Sequence, residues 1–144
     1  NRDYDFLINV LKDTGYQCQI ACDTLSDSQT VGGTIILSNC HGEEMIKRMA
    51  RAHCVVIPLK DVKVSSGQLV ILQAMSLGKP VICTDADGIR DYATEDTAID
   101  SWREAIVSLD EEKKRYNCMS DSAMELFEKN FTDVAMFNNI AKII

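Results

Sequence analysis

No apolar run in this chain approaches the roughly 18 residues that a membrane-spanning helix needs, and no secretory signal pattern opens it. Positive charge is scarce as well. Lys and Arg number 15 against 22 Asp and Glu, for a net charge of −7 and an isoelectric point near 4.7. That balance argues against non-specific nucleic-acid binding, which depends on basic patches laid over phosphates. It still permits a small anion held by backbone amides and one or two basic side chains. Zinc spacing is missing: Cys18 and Cys22 form the one close cysteine pair, with no second pair or clustered histidine at ligand spacing. Internal repeats and low-complexity tracts are absent.

The 144 residues, 46% hydrophobic and 26% charged, suit one globular domain with one core. Of the six cysteines, Cys18, Cys54 and Cys83 lie in or beside apolar strand-like runs, where free Cys acts as a small hydrophobe. With Cys22, Cys40 and Cys118 they read as reduced thiols of a cytoplasmic protein. The chain begins at Asn1-Arg2-Asp3 without Met and enters a helical pattern almost at once, so it reads as a piece of something longer.

Phe6, Leu7, Val10 and Leu11 repeat at helical spacing, and Gly15 stops the run. Gln17 to Ala21 predicts a short strand, Asp23 to Gly33 a loop punctuated by Gly32-Gly33, and Thr34 to Leu37 a second strand. Glu43 to Ala52 sets Met45, Ile46, Met49 and Ala50 on one helical face. Cys54 to Ile57 is a third strand, closed by Pro58. Gly67 to Leu77 is helical and apolar nearly all round, which predicts burial on both sides; Gly78 ends it. Pro80 to Cys83 is a fourth strand, and Asp85 to Gly88 a turn. Ser101-x-x-Glu104 reads as a capping box ahead of Trp102, Ala105, Ile106 and Leu109. Residues 111–129 repeat the pattern with Tyr116, Met119, Ala123, Leu126 and Phe127, and Thr132 caps a last helix carrying Phe137, Ile140 and Ile144.

Short apolar strands without strong alternation, interleaved with helices, predict an α/β domain. Its core is a doubly wound, Rossmann-like parallel sheet with helices on both faces, followed by a helical C-terminal tail. In such folds ligands bind beyond the carboxyl ends of the strands. The Pro58-to-Gly67 and Thr84-to-Gly88 loops both leave strand C-termini and face that crevice together. Ser65-Ser66-Gly67-Gln68 stands where the buried helix begins, and backbone N–H groups at a helix N-terminus attract phosphates. An ordinary Ser cap before a core helix has the same local pattern.

The stretch from Cys54 to Tyr92 resembles the second domain of retaining glycosyltransferases of the GT-B type, family 4. Members typically read Glu-Gly-Phe-Gly-x-x-x-x-Glu-Ala-Met-Ala-x-Gly-x-Pro-Val-Ile. Ala74-Met75, Gly78 and Pro80-Val81-Ile82 match in register, and Gly88-Ile89-Arg90-Asp91-Tyr92 resembles the glycine-led segment that follows. Arg2-Asp3-Tyr4-Asp5-Phe6-Leu7-Ile8 aligns with the Lys-Gly-x-x-x-Leu-Ile that opens this domain. The family's two glutamates fall on Ser65 and Gln73, and its phosphate-binding lysine on Arg2. Relatives carry a loop after the position of Tyr92, whereas here Ala93 to Asp100 runs straight to the capping box, as if a loop were missing near Asp96-Thr97.

The resemblance implies that residues 1–144 are the nucleotide-sugar donor-binding half of such an enzyme, with the acceptor domain absent. It places the donor diphosphate on Arg2, Ser66, Gly67 and Gln68, the sugar by Ser65, the ribose on Gln73 and the base near Ser38 and Asn39. The donor is expected to be UDP-linked and the acceptor a saccharide reached through the missing domain, in polysaccharide or glycoconjugate synthesis. It further implies no metal and no cofactor, no nucleic-acid partner, no membrane contact through this domain, no catalytic residue identified within it, and no transfer by the isolated domain. Asp85, Asp87 and Gly88 read as turn chemistry rather than a metal site, Lys60 and Lys63 as surface cations of the crevice loop. His41 lies within reach of a base or sugar, while His53 reads as structural, and neither has a nucleophile beside it. The alternative is a non-catalytic nucleotide-binding or interaction module of the same fold, an option that loss of both glutamates favours.

Overall fold

The computed structural model describes residues 1–12, 14–25, 33–92 and 102–141, the side chains of 139 and 140 excepted. Helix α1 (Tyr4–Leu11) starts where the Asp3 carboxylate accepts the Phe6 N–H at 3.1 Å, and it buries Leu7, Ile8 and Leu11. Strand β1 (Cys18–Ala21) runs parallel to β2 (Thr34–Leu37), with Cys18 opposite Thr34. Helix α2 (Gly42–Arg51) has Glu43 and Glu44 in its first turn and Arg48 and Arg51 in its last, a distribution that complements the helix dipole. Strand β3 (Val55–Ile57), helix α3 (Gln68–Ser76) and strand β4 (Val81–Cys83) form a β-α-β unit, with Val55 opposite Val81 in parallel register. Helices α4 (Trp102–Glu111), α5 (Lys113–Asn130) and α6 (Asp133–Ala141) complete the chain.

The backbone ladders among the described residues form two parallel pairs, β1–β2 and β3–β4, rather than one continuous four-stranded ladder. Side-chain packing joins what the ladders leave separate. Val81 and Cys83 of β4 pack into a cluster with Met49 of α2, Ile71, Ala74 and Met75 of α3, and Ala123 of α5. Ile82, between them and 0% exposed, turns to the opposite cluster of Leu7, Ile8 and Leu11 of α1, Ile20 of β1, and Trp102, Ala105, Ile106 and Leu109 of α4. Successive side chains of a strand point to opposite faces. Three consecutive buried residues therefore require apolar cover on both sides, which is the doubly wound, Rossmann-like arrangement with added C-terminal helices.

One expectation about burial is corrected. Helix α3 is not enclosed: Leu69 is 69% exposed, and Ser76, on the same stripe, is exposed too. The helix packs on β4, α2 and α5, and the stripe of Leu69 and Ser76 stays open. On α6, Thr132 caps as expected, its hydroxyl accepting the Ala135 N–H at 3.1 Å. Phe137 is 72% exposed, beside exposed Val134 and Met136, and Ala135 is the buried residue among this helix's described side chains. Helix α6 packs on α5, and no described element covers its outer stripe. The Gly32 punctuation, the Asp96-Thr97 junction, the Ser101 cap, the Ile140 side chain and Ile144 lie outside the described residues. No described helix is long and apolar enough to cross a membrane.

None of the six cysteines is paired. Burial pushes the thiols of Cys18, Cys54 and Cys83 up to about 11. Since the thiolate is the nucleophile, alkylation with iodoacetamide at neutral pH is expected to label exposed Cys118 and half-buried Cys22 ahead of Cys18, Cys54 and Cys83. Those three are expected to label only after denaturation, and peptide mass spectrometry reads the order. Early labelling of Cys54 in the folded protein would contradict the packing described.

Candidate functional site

Five of the eight site residues expected from the sequence meet at one point, the C-terminal ends of β3 and β4. Gly67 caps α3 with φ 97° and ψ −12°, in the left-handed region open chiefly to glycine. No side chain caps the helix at this position. Its first N–H groups are the ones that a bound anion can satisfy. Arg2 reaches this turn from the segment before α1. Its Nη1 donates to Ser66 Oγ at 2.8 Å, and a β-carbon on Gly67 would stand 3.7 Å from Nη2.

The segment carrying Arg2 is fixed by three contacts. Asp3 N–H donates to the Pro58 carbonyl at 2.9 Å. The Asn1 side chain donates to the Asp61 carbonyl and accepts the Asp61 N–H, both at 2.8 Å. Thus the loop after β3 holds the guanidinium beside the turn that the same loop forms.

The loop after β4 makes the other wall. Thr84 N–H donates to Ile57 O at 3.2 Å, and the Thr84 hydroxyl accepts the Leu59 N–H at 2.9 Å, so the two loops are tied where they leave the sheet. The Gln68 side-chain amide donates to the Ser65 hydroxyl and, at 2.9 Å, to the Gly88 carbonyl. Asp85 and Asp87 do not face a vacant metal position. Arg90 donates to both oxygens of Asp85, at 2.8 and 2.9 Å, and to Asp87 at 3.2 Å. The hydrogen bond from Arg90 holds the exposed Asp85 carboxyl below its usual range. Among the described residues no group of three or more His, Cys, Asp or Glu is placed to hold a metal ion.

The remaining three expected residues lie elsewhere. Gln73 is half-buried on the outer stripe of α3, one turn beyond exposed Leu69 and about 9 Å along the helix from Gly67. The hydrogen bond found there involves its backbone, whose carbonyl accepts from Ser76 Oγ at 2.8 Å. Ser38 and Asn39 are exposed at the end of β2. Asn39 adopts φ 51°, and its N–H donates to Asp23 Oδ1 at 2.7 Å, while the other Asp23 oxygen lies 3.0 Å from His41 Nε2. The Asn39 N–H is the main influence lowering the Asp23 pKa. His53 is structural: Nε2 donates to the Leu109 carbonyl at 2.9 Å, and the ring stacks on Tyr116 with centroids 4.4 Å apart. Lys60 and Lys63 are exposed.

Burial chiefly, and the neighbouring Cys22 thiol second, raise the Tyr4 pKa to about 12. At Cys22 burial opposes ionisation, but hydrogen bonds from Thr24, Tyr4 and the Leu25 backbone outweigh it and lower the thiol pKa. Sequence reasoning missed Arg90 and the contact between Gln68 and Gly88. Arg90 follows Asp85 and Asp87 by five and three positions, a spacing that an ion-pair search along the turn would have found.

The family model described as glycosyl transferases group 1 matches residues 14–112, a span that holds all four strands and the Ser65–Gln68 turn and leaves Arg2 outside. Among the curated proteins none matches the chain. More than half of the chain falls within that family match, with a fold to suit it, and the chain therefore belongs to the glycosyl transferases group 1.

Proposed function

We propose that this chain is the donor-binding domain of a retaining transferase of the GT-B type, and that its donor is a UDP-linked sugar. The observation that carries this reading is the convergence of a guanidinium and an uncapped helix N-terminus on one turn, Arg2 against Ser66 with Gly67 beside them. The diphosphate accepts N–H groups from Gly67 and Gln68, with Ser66 and Arg2 at its side. The sugar then lies toward Ser65, the ribose toward Gln73, and the base toward Ser38 and Asn39 across the strand ends.

The chemistry assigned to this half is electrostatic. As the bond from the sugar to the diphosphate breaks, negative charge grows on the leaving group. Oriented N–H dipoles and a fixed cation meet that charge without reorganising. The domain supplies no nucleophile. The acceptor saccharide belongs to a second domain, with polysaccharide or glycoconjugate synthesis in the cytoplasm as the setting. The domain alone binds nucleotide without transferring sugar. Neither a metal nor a cofactor is needed for the charge compensation just described.

Calorimetric titration with UDP, GDP and ADP tests this directly. UDP alone is expected to bind, with a Kd of about 0.1–1 mM, equivalent to about −4 to −5.5 kcal/mol. Arg2→Gln is expected to weaken UDP about tenfold, the scale of one hydrogen bond to a charged group. The reading fails if no nucleotide binds, or if Arg2→Gln binds as the parent does.

A further inference from the structure

We propose that Gln68 is a positioning residue: its side-chain amide clamps the loop after β4 onto the phosphate turn and sets the width of the donor crevice. The inference rests on the donor-binding reading above and reassigns the Gln68 side chain within it. A carbonyl can only accept, so the group that faces Gly88 O at 2.9 Å must be the amide nitrogen. The second N–H of the same nitrogen meets the Ser65 hydroxyl. Both side-chain donors are therefore engaged within the protein, and only the backbone N–H of Gln68 remains for a ligand.

The geometry around the clamp is tight. A β-carbon on Gly88 would stand 2.8 Å from Gln68 Nε2 and 3.1 Å from both Cα and Oγ of Ser65. The two loops thus approach to backbone contact, and the amide bridges them at that point. Arg90 braces the β4 loop internally through Asp85 and Asp87, but both partners belong to its own loop. Thr84 ties the loops only at their roots. Gln68 joins their outer parts, the portions that flank a ligand resting on the turn. Without it, a nucleotide would have to bring the walls together itself, and its apparent affinity would fall accordingly.

Gln68→Met removes the donor with little change of length, and Gln68→Lys retains a donor. In nucleotide-free protein, hydrogen exchange over residues 85–92 is expected to quicken about fivefold in the Met variant, as for a local opening relieved of one hydrogen bond. The carbonyl carbon resonance of Gly88 should shift in the Met variant and recover in the Lys variant, a signature specific to this bond. UDP binding should weaken about fivefold with Met and recover with Lys. Unchanged exchange and an unmoved Gly88 resonance in Gln68→Met would overturn the clamp. Altered exchange with unchanged UDP affinity would overturn its role in donor positioning. Failure of the parent protein to bind any nucleotide would instead remove the donor reading, together with the donor role of Gln68, while the exchange and resonance data still decide whether the clamp exists.

Discussion

Gly67→Asp is expected to lose nucleotide binding, with UDP affinity down by at least ~100-fold, or about 2.7 kcal/mol. Two effects act in the same direction. The new carboxylate enters the place where the diphosphate charge is met, and like charges at short range in a partly enclosed site repel strongly. The new β-carbon stands 3.1 Å from Ile57 Cγ2 and 3.7 Å from Arg2 Nη2, so the carboxylate lies within reach of the guanidinium and competes for it. Aspartate is among the residues that best tolerate the left-handed region, so the fold should survive at a cost of about 1–2 kcal/mol. Gly67→Ala separates the two effects, because it adds the contact with Ile57 but no charge. Titration of both variants, with circular dichroism to verify folding, gives the comparison. If Gly67→Asp binds UDP as tightly as the parent, the turn is not the phosphate site.

The largest stability loss is expected at Gly78. This residue follows α3 with φ 61°. Its N–H donates to Met75 O and the next N–H, of Lys79, to Ala74 O, both at 2.9 Å, the paired closure of a Schellman motif. The Gly78 carbonyl accepts from Ser120 Oγ of α5 at 2.6 Å. A β-carbon here would stand 2.7 Å from Met124 Sδ and 3.1 Å from Ser120 Oγ. Methionine can yield, but Ser120 is held by its bond to this same residue. Adding the left-handed penalty, about 1–2 kcal/mol, to about 1–2 kcal/mol of overpacking gives about 3 kcal/mol for Gly78→Ala. For a domain of this size that corresponds to a fall in Tm on the order of 10 °C. A shift under about 2 °C would mean that α3 and α5 part easily at this point. Nucleotide affinity should be unaffected at temperatures where the variant is folded, since Gly78 lies at the far end of α3 from the turn.

Much of this architecture was legible because local and long-range signals agreed. The periodicity of Trp102, Ala105, Ile106 and Leu109 gave a helix in which these four residues are all buried. Pro58 and Gly78 marked ends of elements that the coordinates place within a residue or two. Leu69 misled because an apolar sequence reports that a face is apolar, not that something covers it. The site divided along similar lines. Gly67 could be read, since a glycine ahead of a helix has a conformational reason to be there. The Gln68 contact could not, because it depends on how closely two loops separated by 20 residues approach, and no local spacing encodes that distance. Gln73 remains an assignment by resemblance, since its place on the open stripe of α3 neither joins it to the turn nor removes it from reach of a ligand lying along the helix.

The short strand β4 has a further consequence. Three residues, Val81 to Cys83, form a party wall between two hydrophobic compartments, with Ile82 facing one room and its neighbours the other. Water admitted on either side reaches the same partition, so the two compartments are expected to open together. The Asp85–Arg90 loop hangs from the end of that partition. It is rooted in a strand buried on both faces, although its own outer surface is open to solvent.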